Sequence, residues 1–459
     1  MMGQLTEMAQ IDRPPSQFSF EIQTLIIGAG AAGMTAALAA ADEGQTTLII
    51  ERDAIPSGST ALSAGLIPAA GTRFQSSVGI DDNADIFAAD IQQKANGENE
   101  QSFVDLLAEN AAATIEWLSD KHALPFSLVH DFDYPGHSQR RMHGLPSRSG
   151  QELIDHLRSA CEASDIDIIC DATAHTIYVE DDLVRGIQFV RPDGSTEQIG
   201  CERLILACNG FGGNADKVRE NMSNISDAIW FGHDGNKGEA LDWGKALGAA
   251  TKHLSAYQGH GNVAKPHGIL ISWAVITQGG VQVDKLGKRF WNEAQGYSEA
   301  ARVVLAQPDG EAFAIFDEDI ASVARQFTDF QNAEKQGAIK TGGTIAELAN
   351  QLGLPAAELK KTLSAIPVDG TDQFGRAFSD TNLKPPFKGV KVTGALFHTQ
   401  GGLCVDKLAR VQKLDGAPFP NLFAAGGAAV GVSGSNDSGY LSGNGLLSAV
   451  VLGRIAGQA

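Results

Sequence analysis

The stretch EIQTLIIGAGAAGMTAALAAADEGQTTLIIER, residues 21–52, constrains this chain more than any other. An apolar run, a glycine turn, an alanine-rich segment and a second apolar run follow one another as strand, turn, helix and strand, which is one βαβ unit. Gly28, Gly30 and Gly33 form G-x-G-x-x-G, and Glu51 stands at the end of the second strand, about 20 residues on. Glycines here let backbone amides and the helix N-terminus, with Ala32, meet a pyrophosphate, while Glu51, beside Arg52, can accept hydrogen bonds from ribose hydroxyls. A lone G-x-G-x-x-G is weak; two flanking strands and a placed acid make it a dinucleotide site.

With 459 residues the chain has material for about two or three domains. Its 52 glycines imply many close backbone approaches, as a large phosphate-bearing cofactor requires. A formal net charge of −20 disfavours nucleic acid or an anionic membrane as partner. Cys161, Cys170, Cys201, Cys208 and Cys404 are odd in number and form no CxxC pair, which argues for reduced thiols, a cytoplasmic location and no metal. Residues 1–18 lack a basic start followed by an apolar run and read as a tail. No stretch of about 18 apolar residues suggests a membrane span.

Along the chain, 82–122 and 151–163 have helical patterning. Short strands are expected at 166–170, 174–180, 183–191 and 196–200, with a PDG turn at 192–194. Residues 201–213 read as a separate buried strand ending in glycines. Residues 254–395 are less regular and read as an insertion, after which 421–434 returns to strand and glycine turn. A final helix is expected from about 444 to 457. The loop after the first βαβ unit offers Ser57, Gly58, Ser59, Thr60, Ser63, Ala64 and Gly65, whose hydroxyls and unblocked amides suit a pyrophosphate and ribityl chain.

Eight segments together resemble one family: GAGAAG (28–33), SGSTALSAGLIPAAGTRFQ (57–75), RRMHGLPSRSG (140–150), LILACNGFGG (204–213), KGEALDWGKALGA (237–249), GKRFWNE (287–293), FHTQGGLCVD (397–406) and AAGGAAVGVSG (424–434). The chain resembles the flavoprotein subunits of fumarate reductase and succinate dehydrogenase, and their relatives the 3-ketosteroid dehydrogenases, over nearly its whole length. The resemblance implies an α/β fold: a doubly wound FAD-binding domain, Rossmann-like and of glutathione-reductase type, from residues 19–253 and 396–459. An inserted α+β capping domain, 254–395, would close over the flavin. It extends the cofactor contacts to Ala174, Ala207, Asn209, Gly210, Glu239, Gly426, Gly427, Asn444, Gly445, Leu446 and Leu447. Covalently flavinylated relatives carry a histidine in the early loop. Residues 54–70 contain none, so the FAD is expected to be non-covalent and dissociable. The usual acid after AAG is Gly427 here, which removes a ribityl contact.

In the dicarboxylate enzymes one arginine clamps a substrate carboxylate and another delivers the proton. The resemblance places Tyr440 and Tyr297 at those positions, and a phenol can imitate neither task. Both positions carry tyrosine in the 3-ketosteroid dehydrogenases, and GYLSG resembles the Tyr-x-Ser-Gly of their Δ4 branch. The implied reaction is desaturation of a cyclic ketone, a 3-ketosteroid or an oxocyclohexanecarboxylate. One phenol would polarise the carbonyl, the other would take the α proton, and a hydride would leave for flavin N5. The electron acceptor, oxygen, quinone or protein, stays open. A tyrosine needs help to ionise, and His398 is the best candidate for a relay. Ser442 either hydrogen-bonds Tyr440 or substrate, or caps the last helix. Arg141 and His143 line the site or form surface salt links, Tyr134 is a wall residue at most, and Glu239 is either a cofactor contact or a solvated helix-start acid. Alternatives are an enoate reductase of fumarate or urocanate type, and a non-catalytic electron-transfer flavoprotein whose tyrosines only pack.

Overall fold

In the computed structural model, residues 9–130, 134–379 and 382–459 are described. The chain divides into two compact units: residues 1–222, 232–257 and 398–459 form the first, and residues 223–231 and 258–397 form the second. The segment 223–231, expected within the cofactor domain, belongs to the second unit because Ile229–Trp230 pairs in parallel with Ala395 and Leu396 of that unit's long strand.

The first unit is built on a sheet of nine strands among the described residues. Seven of them run in the order Gln10–Asp12, Thr173–Glu180, Leu183–Val190, Thr196–Leu206, Glu21–Ile27, Thr47–Ile50, Asp167–Ile169; off this path Pro418–Ala424 pairs with Thr196–Leu206, and Arg410–Gln412 with Pro418–Ala424. The central strands Glu21–Ile27 and Thr47–Ile50 pair in parallel, and their apolar runs are buried, as a sheet covered on both faces demands. Two expectations change here. Part of the presumed N-terminal tail is a strand, since Gln10–Asp12 adds in parallel to Thr176–Tyr178 at the sheet edge. The two strands expected at 196–200 and 201–213 are one, Thr196–Leu206: it pairs antiparallel with Leu183–Val190 over its first half and parallel with Glu21–Ile27 over its second.

The helix Ala31–Asp42 is alanine-rich and buried through Ala40, so it packs by close approach rather than by an amphipathic stripe. Its partner is the C-terminal helix Asn444–Gln458. A Cβ at Gly453 would come 2.5 Å from the Ala32 carbonyl oxygen, and one at Gly457 would come 2.3 Å from that of Ala36. Arg203 Nη2 donates to the Ala456 carbonyl at 2.6 Å, which satisfies a free acceptor at the end of this helix.

The second unit is more regular than its sequence suggested. A seven-stranded sheet, counted over described residues, is organised on the thirteen-residue strand Phe387–Thr399 and the fully buried Ala312–Asp317. Val275, Ile276, Phe316, Phe330, Val390 and Val392 lie in its core. Glu293, with no exposed surface, is held by Arg289 at 2.5 Å and Arg376 at 3.1 Å and accepts from the Gln282 amide at 2.9 Å. Removing one partner of such a set leaves a buried charge uncompensated. This anchored carboxylate fixes the turn that leads into the helix Tyr297–Leu305.

Candidate active site

The glycine turn of residues 28–33 is shaped by contact. Gly28 has φ +106, and a Cβ there would lie 2.5 Å from the Ala207 carbonyl oxygen; a Cβ at Gly33 would lie 1.8 Å from that of Gly28. No other residue fits either position. Gly30 caps the helix without a side chain, and Thr60 Oγ1 accepts from the Ala31 amide at 3.1 Å, which brings the serine-glycine loop over the helix N-terminus. Glu51 bends back over the turn: Oε2 accepts from the Ala29 amide at 2.7 Å and Oε1 from the Asp53 amide at 3.0 Å. Ser59 Oγ accepts from Asn236 Nδ2 at 2.8 Å. Ser63 is turned inward instead, donating to the Thr60 carbonyl at 2.7 Å and accepting from the Gly65 amide at 3.0 Å, so it shapes the loop. Ala64 is exposed beside it, and Gly65, at φ +64, packs against the Ser149 backbone.

Arg52 Nη2 pairs with Glu239 Oε1 at 2.6 Å. Burial opposes the Arg52 charge, but Glu239 holds its pKa above the ordinary value. The other oxygen of Glu239 is buried without a hydrogen-bond partner, so this acid is not a solvated helix start. Ala174 and Ala207 are buried. Asn209, at φ +66, accepts from the Gly210 amide through its own Oδ1 at 2.8 Å. A Cβ at Gly427 would come 2.1 Å from that Oδ1 and 3.0 Å from His398 Nε2, so the missing acid has no room unless Asn209 moves. Neighbouring Gly426 adopts φ +59.

At the other end of the chain, Gly443, with φ +86, caps the Asn444–Gln458 helix, and no side chain does; Ser442 is therefore not the cap. Asn444 is fully buried, Gly445 and Leu446 are half-buried, and Leu447 is buried. Asn444 Nδ2 donates to the Val432 carbonyl and to Ser433 Oγ, both at 3.3 Å, while its Oδ1 is buried without a partner. Ser433 Oγ donates to Gln400 Oε1 at 2.9 Å, and Gln400 Nε2 donates to His398 Nδ1 at 2.8 Å. An accepting Nδ1 puts the proton of the neutral ring on Nε2. Burial lowers the His398 pKa to about 4, so the ring stays neutral at physiological pH. Tyr440 is 6% exposed. Burial pushes its phenol up to about 12, against the opposing pull of the Gly445 and Gly443 amides.

Tyr297 opens a helix in the second unit after Gly296, at φ +133. Its ring stacks on His260 at 5.1 Å and 20° and meets Trp273 edge-on at 6.4 Å. His260 also stacks on Phe397 at 5.3 Å, and burial lowers its pKa to about 3. Arg141 and His143 form no surface links: both are fully buried, and His143 Nε2 lies 2.8 Å from Thr72 Oγ1. Tyr134 packs on the cluster of Leu66, Val129 and Met142. Sequence reasoning missed Gln400, which strand periodicity two residues from His398 could have flagged. It also missed His260, His137 and Asn236, for which no local signal exists.

The first unit fits FAD on its own atoms. A glycine turn closed to a Cβ at Gly28 and Gly33, a helix N-terminus capped only by Gly30 beneath Thr60, and unpartnered buried acceptors at Glu239 and Asn444 are what a dinucleotide with hydroxyl and amide donors would complete. Among the described residues, no group of three or more His, Cys, Asp or Glu could hold a metal ion, and no helix is long and apolar enough to cross a membrane.

The chain is 32% identical over 443 residues to a probable fumarate reductase of Shewanella frigidimarina, covering 95% of this chain and 74% of that one. It superposes on the open conformation of a flavocytochrome c3 fumarate reductase with a TM-score of 0.82 and 30% identity, covering 96% and 78% of the two chains. The fold is shared with a 3-ketosteroid-Δ4-(5α)-dehydrogenase from Rhodococcus jostii, at a TM-score of 0.77, 22% identity, and coverage of 98% and 99%. The FAD binding domain family model matches residues 23–446, and the chain belongs to that family of flavoprotein oxidoreductases.

Proposed function

We propose that the protein is an FAD-dependent dehydrogenase that introduces a carbon–carbon double bond next to the carbonyl of a cyclic ketone. The observation that carries this reading is the buried phenol of Tyr440, its pKa at about 12, at the position that the resemblance matches to the clamping arginine of the dicarboxylate enzymes. A neutral hydroxyl donor suits an uncharged carbonyl oxygen, on which negative charge grows as the α proton leaves. It is a poor match for a carboxylate, which calls for a fixed charge and a planar fork of donors.

In this assignment Tyr440 donates to the ketone oxygen and keeps its own proton. His398 contributes a second donor, Nε2–H, because Nδ1 is engaged by Gln400; this replaces the proton relay expected of it. For the α proton we propose Tyr297, whose ring orientation is set by the His260 stack. Ser442 acts through its backbone. When bound, FAD supplies the acceptor for the hydride that leaves the β carbon. Its place in this chain is assigned to the glycine turn, Thr60, Glu51, Glu239 and Asn444. The electron acceptor that completes turnover is left unassigned.

The test is anaerobic mixing of the flavin-loaded protein with a 3-ketosteroid and with 4-oxocyclohexanecarboxylate. Bleaching of the flavin by either supports the proposal, and no bleaching with any cyclic ketone sinks it. A second reading, enoate reduction, is favoured by the 32% identity to a probable fumarate reductase. It predicts oxidation of a reduced dye on addition of fumarate or a related unsaturated acid.

A further inference from the structure

We propose that His137 is a positioning residue that fixes the Tyr440–Ser442 turn from behind, with Arg141 setting its tautomer; this rests on the reading of Tyr440 as a substrate-facing donor. His137 Nε2 lies 2.9 Å from the Ser442 carbonyl oxygen, and Arg141 Nη1 lies 3.3 Å from His137 Nδ1. A carbonyl can only accept and a guanidinium can only donate, so the imidazole must be neutral with its proton on Nε2. Both ring nitrogens are thereby used in one direction.

Arg141 is itself immobilised. Nε and Nη2 grip Asp82 at 2.9 and 3.0 Å, Nη1 meets Asp90 at 2.5 Å, and the guanidinium lies 4.8 Å over the Phe87 ring. The carboxylates are held in turn: Gln75 Nε2 donates to Asp82 at 2.8 Å, and the Ser138 amide and hydroxyl donate to Asp90 at 2.8 Å. The backbone beside His137 seats the same turn, since a Cβ at Gly136 would come 2.7 Å from Leu441 Cδ1. Through His137 the array reaches the Ser442 carbonyl, which lies two residues from Tyr440 and ahead of the helix's first internal acceptor, Gly443.

Two variants separate positioning from bulk structure. His137→Phe keeps the ring volume and removes both hydrogen bonds. His137→Gln keeps an amide that donates to Ser442 and an oxygen that accepts from Arg141. The first readout needs no substrate: the ionisation of Tyr440, taken as the ultraviolet difference titration against Tyr440→Phe. In His137→Phe it should move down toward that of a free phenol as the turn loosens, and in His137→Gln it should stay at the wild-type value. The second readout is kcat in the ketone assay. His137→Phe should lose about tenfold to a hundredfold at constant FAD content, and the loss should shrink to within about threefold in the Tyr440→Phe background, because both changes act through one contact. An unshifted Tyr440 titration in His137→Phe, or losses that multiply in the double variant, would overturn the proposal. Should His137→Phe not fold, the nitrogen spectrum of the wild-type ring, identified by its absence in His137→Gln, still decides: an Nδ1–H or charged imidazole at pH 7 overturns it. If Tyr440→Phe alone leaves turnover unchanged, the functional reading fails, whereas the titration still reports on His137.

Discussion

At pH 7 a phenol whose pKa is about 12 is ionised only at a cost of roughly 7 kcal/mol, five units at about 1.4 kcal/mol each. On the proposed reading, that magnitude suits Tyr440 to donating a hydrogen bond and makes it a poor base. Tyr440→Phe should therefore lower turnover of a ketone by about a hundredfold or more while FAD content is unchanged, measured by dye-linked kinetics and flavin absorbance. The histidines make a second prediction. His137, His143 and His398 are lowered to about 4, and His260 to about 3, with burial the largest cause in each case. Below the unfolded-state value near 6.5 the unfolded chain binds more protons than the folded one, so stability falls as pH drops from about 6.5 to about 4, and to about 3 for His260, and then levels. Each such histidine contributes on the order of 3 kcal/mol to this loss, and four together rival the whole stability of an ordinary domain. Melting temperature against pH should show acid unfolding within that window; a flat profile from pH 7 to pH 4 would contradict it. None of these shifts was legible in the sequence, because desolvation is set by residues far away along the chain.

Among the elements, the pairing of the Ala31–Asp42 and Asn444–Gln458 helices depends on glycines at the contact. Gly453→Leu forces a side chain against the Ala32 carbonyl, 2.5 Å from the first added atom, and overpacking of this kind costs about 1–3 kcal/mol or more. The expected outcome is a melting temperature several degrees lower, with FAD lost as well, since both helix N-termini belong to the proposed cofactor cradle. The first βαβ unit was fully legible, because strand, turn, helix and strand each obey local rules that coincide. The strand Thr196–Leu206 was not. It changes partner orientation midway, so the sequence reads as two strands where the backbone is continuous. Residues 254–395 looked irregular for a related reason: strands buried on both faces show no alternation, and their partners are distant in sequence.

For the molecule as a whole, the FAD is expected to dissociate. Acid precipitation should leave the flavin in the supernatant, and added FAD should raise the melting temperature of stripped protein, as any ligand that binds only the folded state must. A yellow pellet after precipitation would contradict the absence of a covalent anchor in residues 54–70. The family and the dinucleotide turn were determined by the sequence alone, because each is a pattern of residue types at fixed spacing; Tyr440 and Tyr297 were singled out by the resemblance. The burial of Tyr440, the lack of space for a side chain at Gly427, and the contact of His137 with the Tyr440–Ser442 turn were decided only by tertiary structure. Those properties depend on how much water is excluded around Tyr440, on the 2.1 Å to Asn209 Oδ1 that a Cβ at Gly427 would have, and on a hydrogen bond from His137 to Ser442 across 305 residues of chain. No local pattern encodes them, because the groups that meet there are neighbours only after folding.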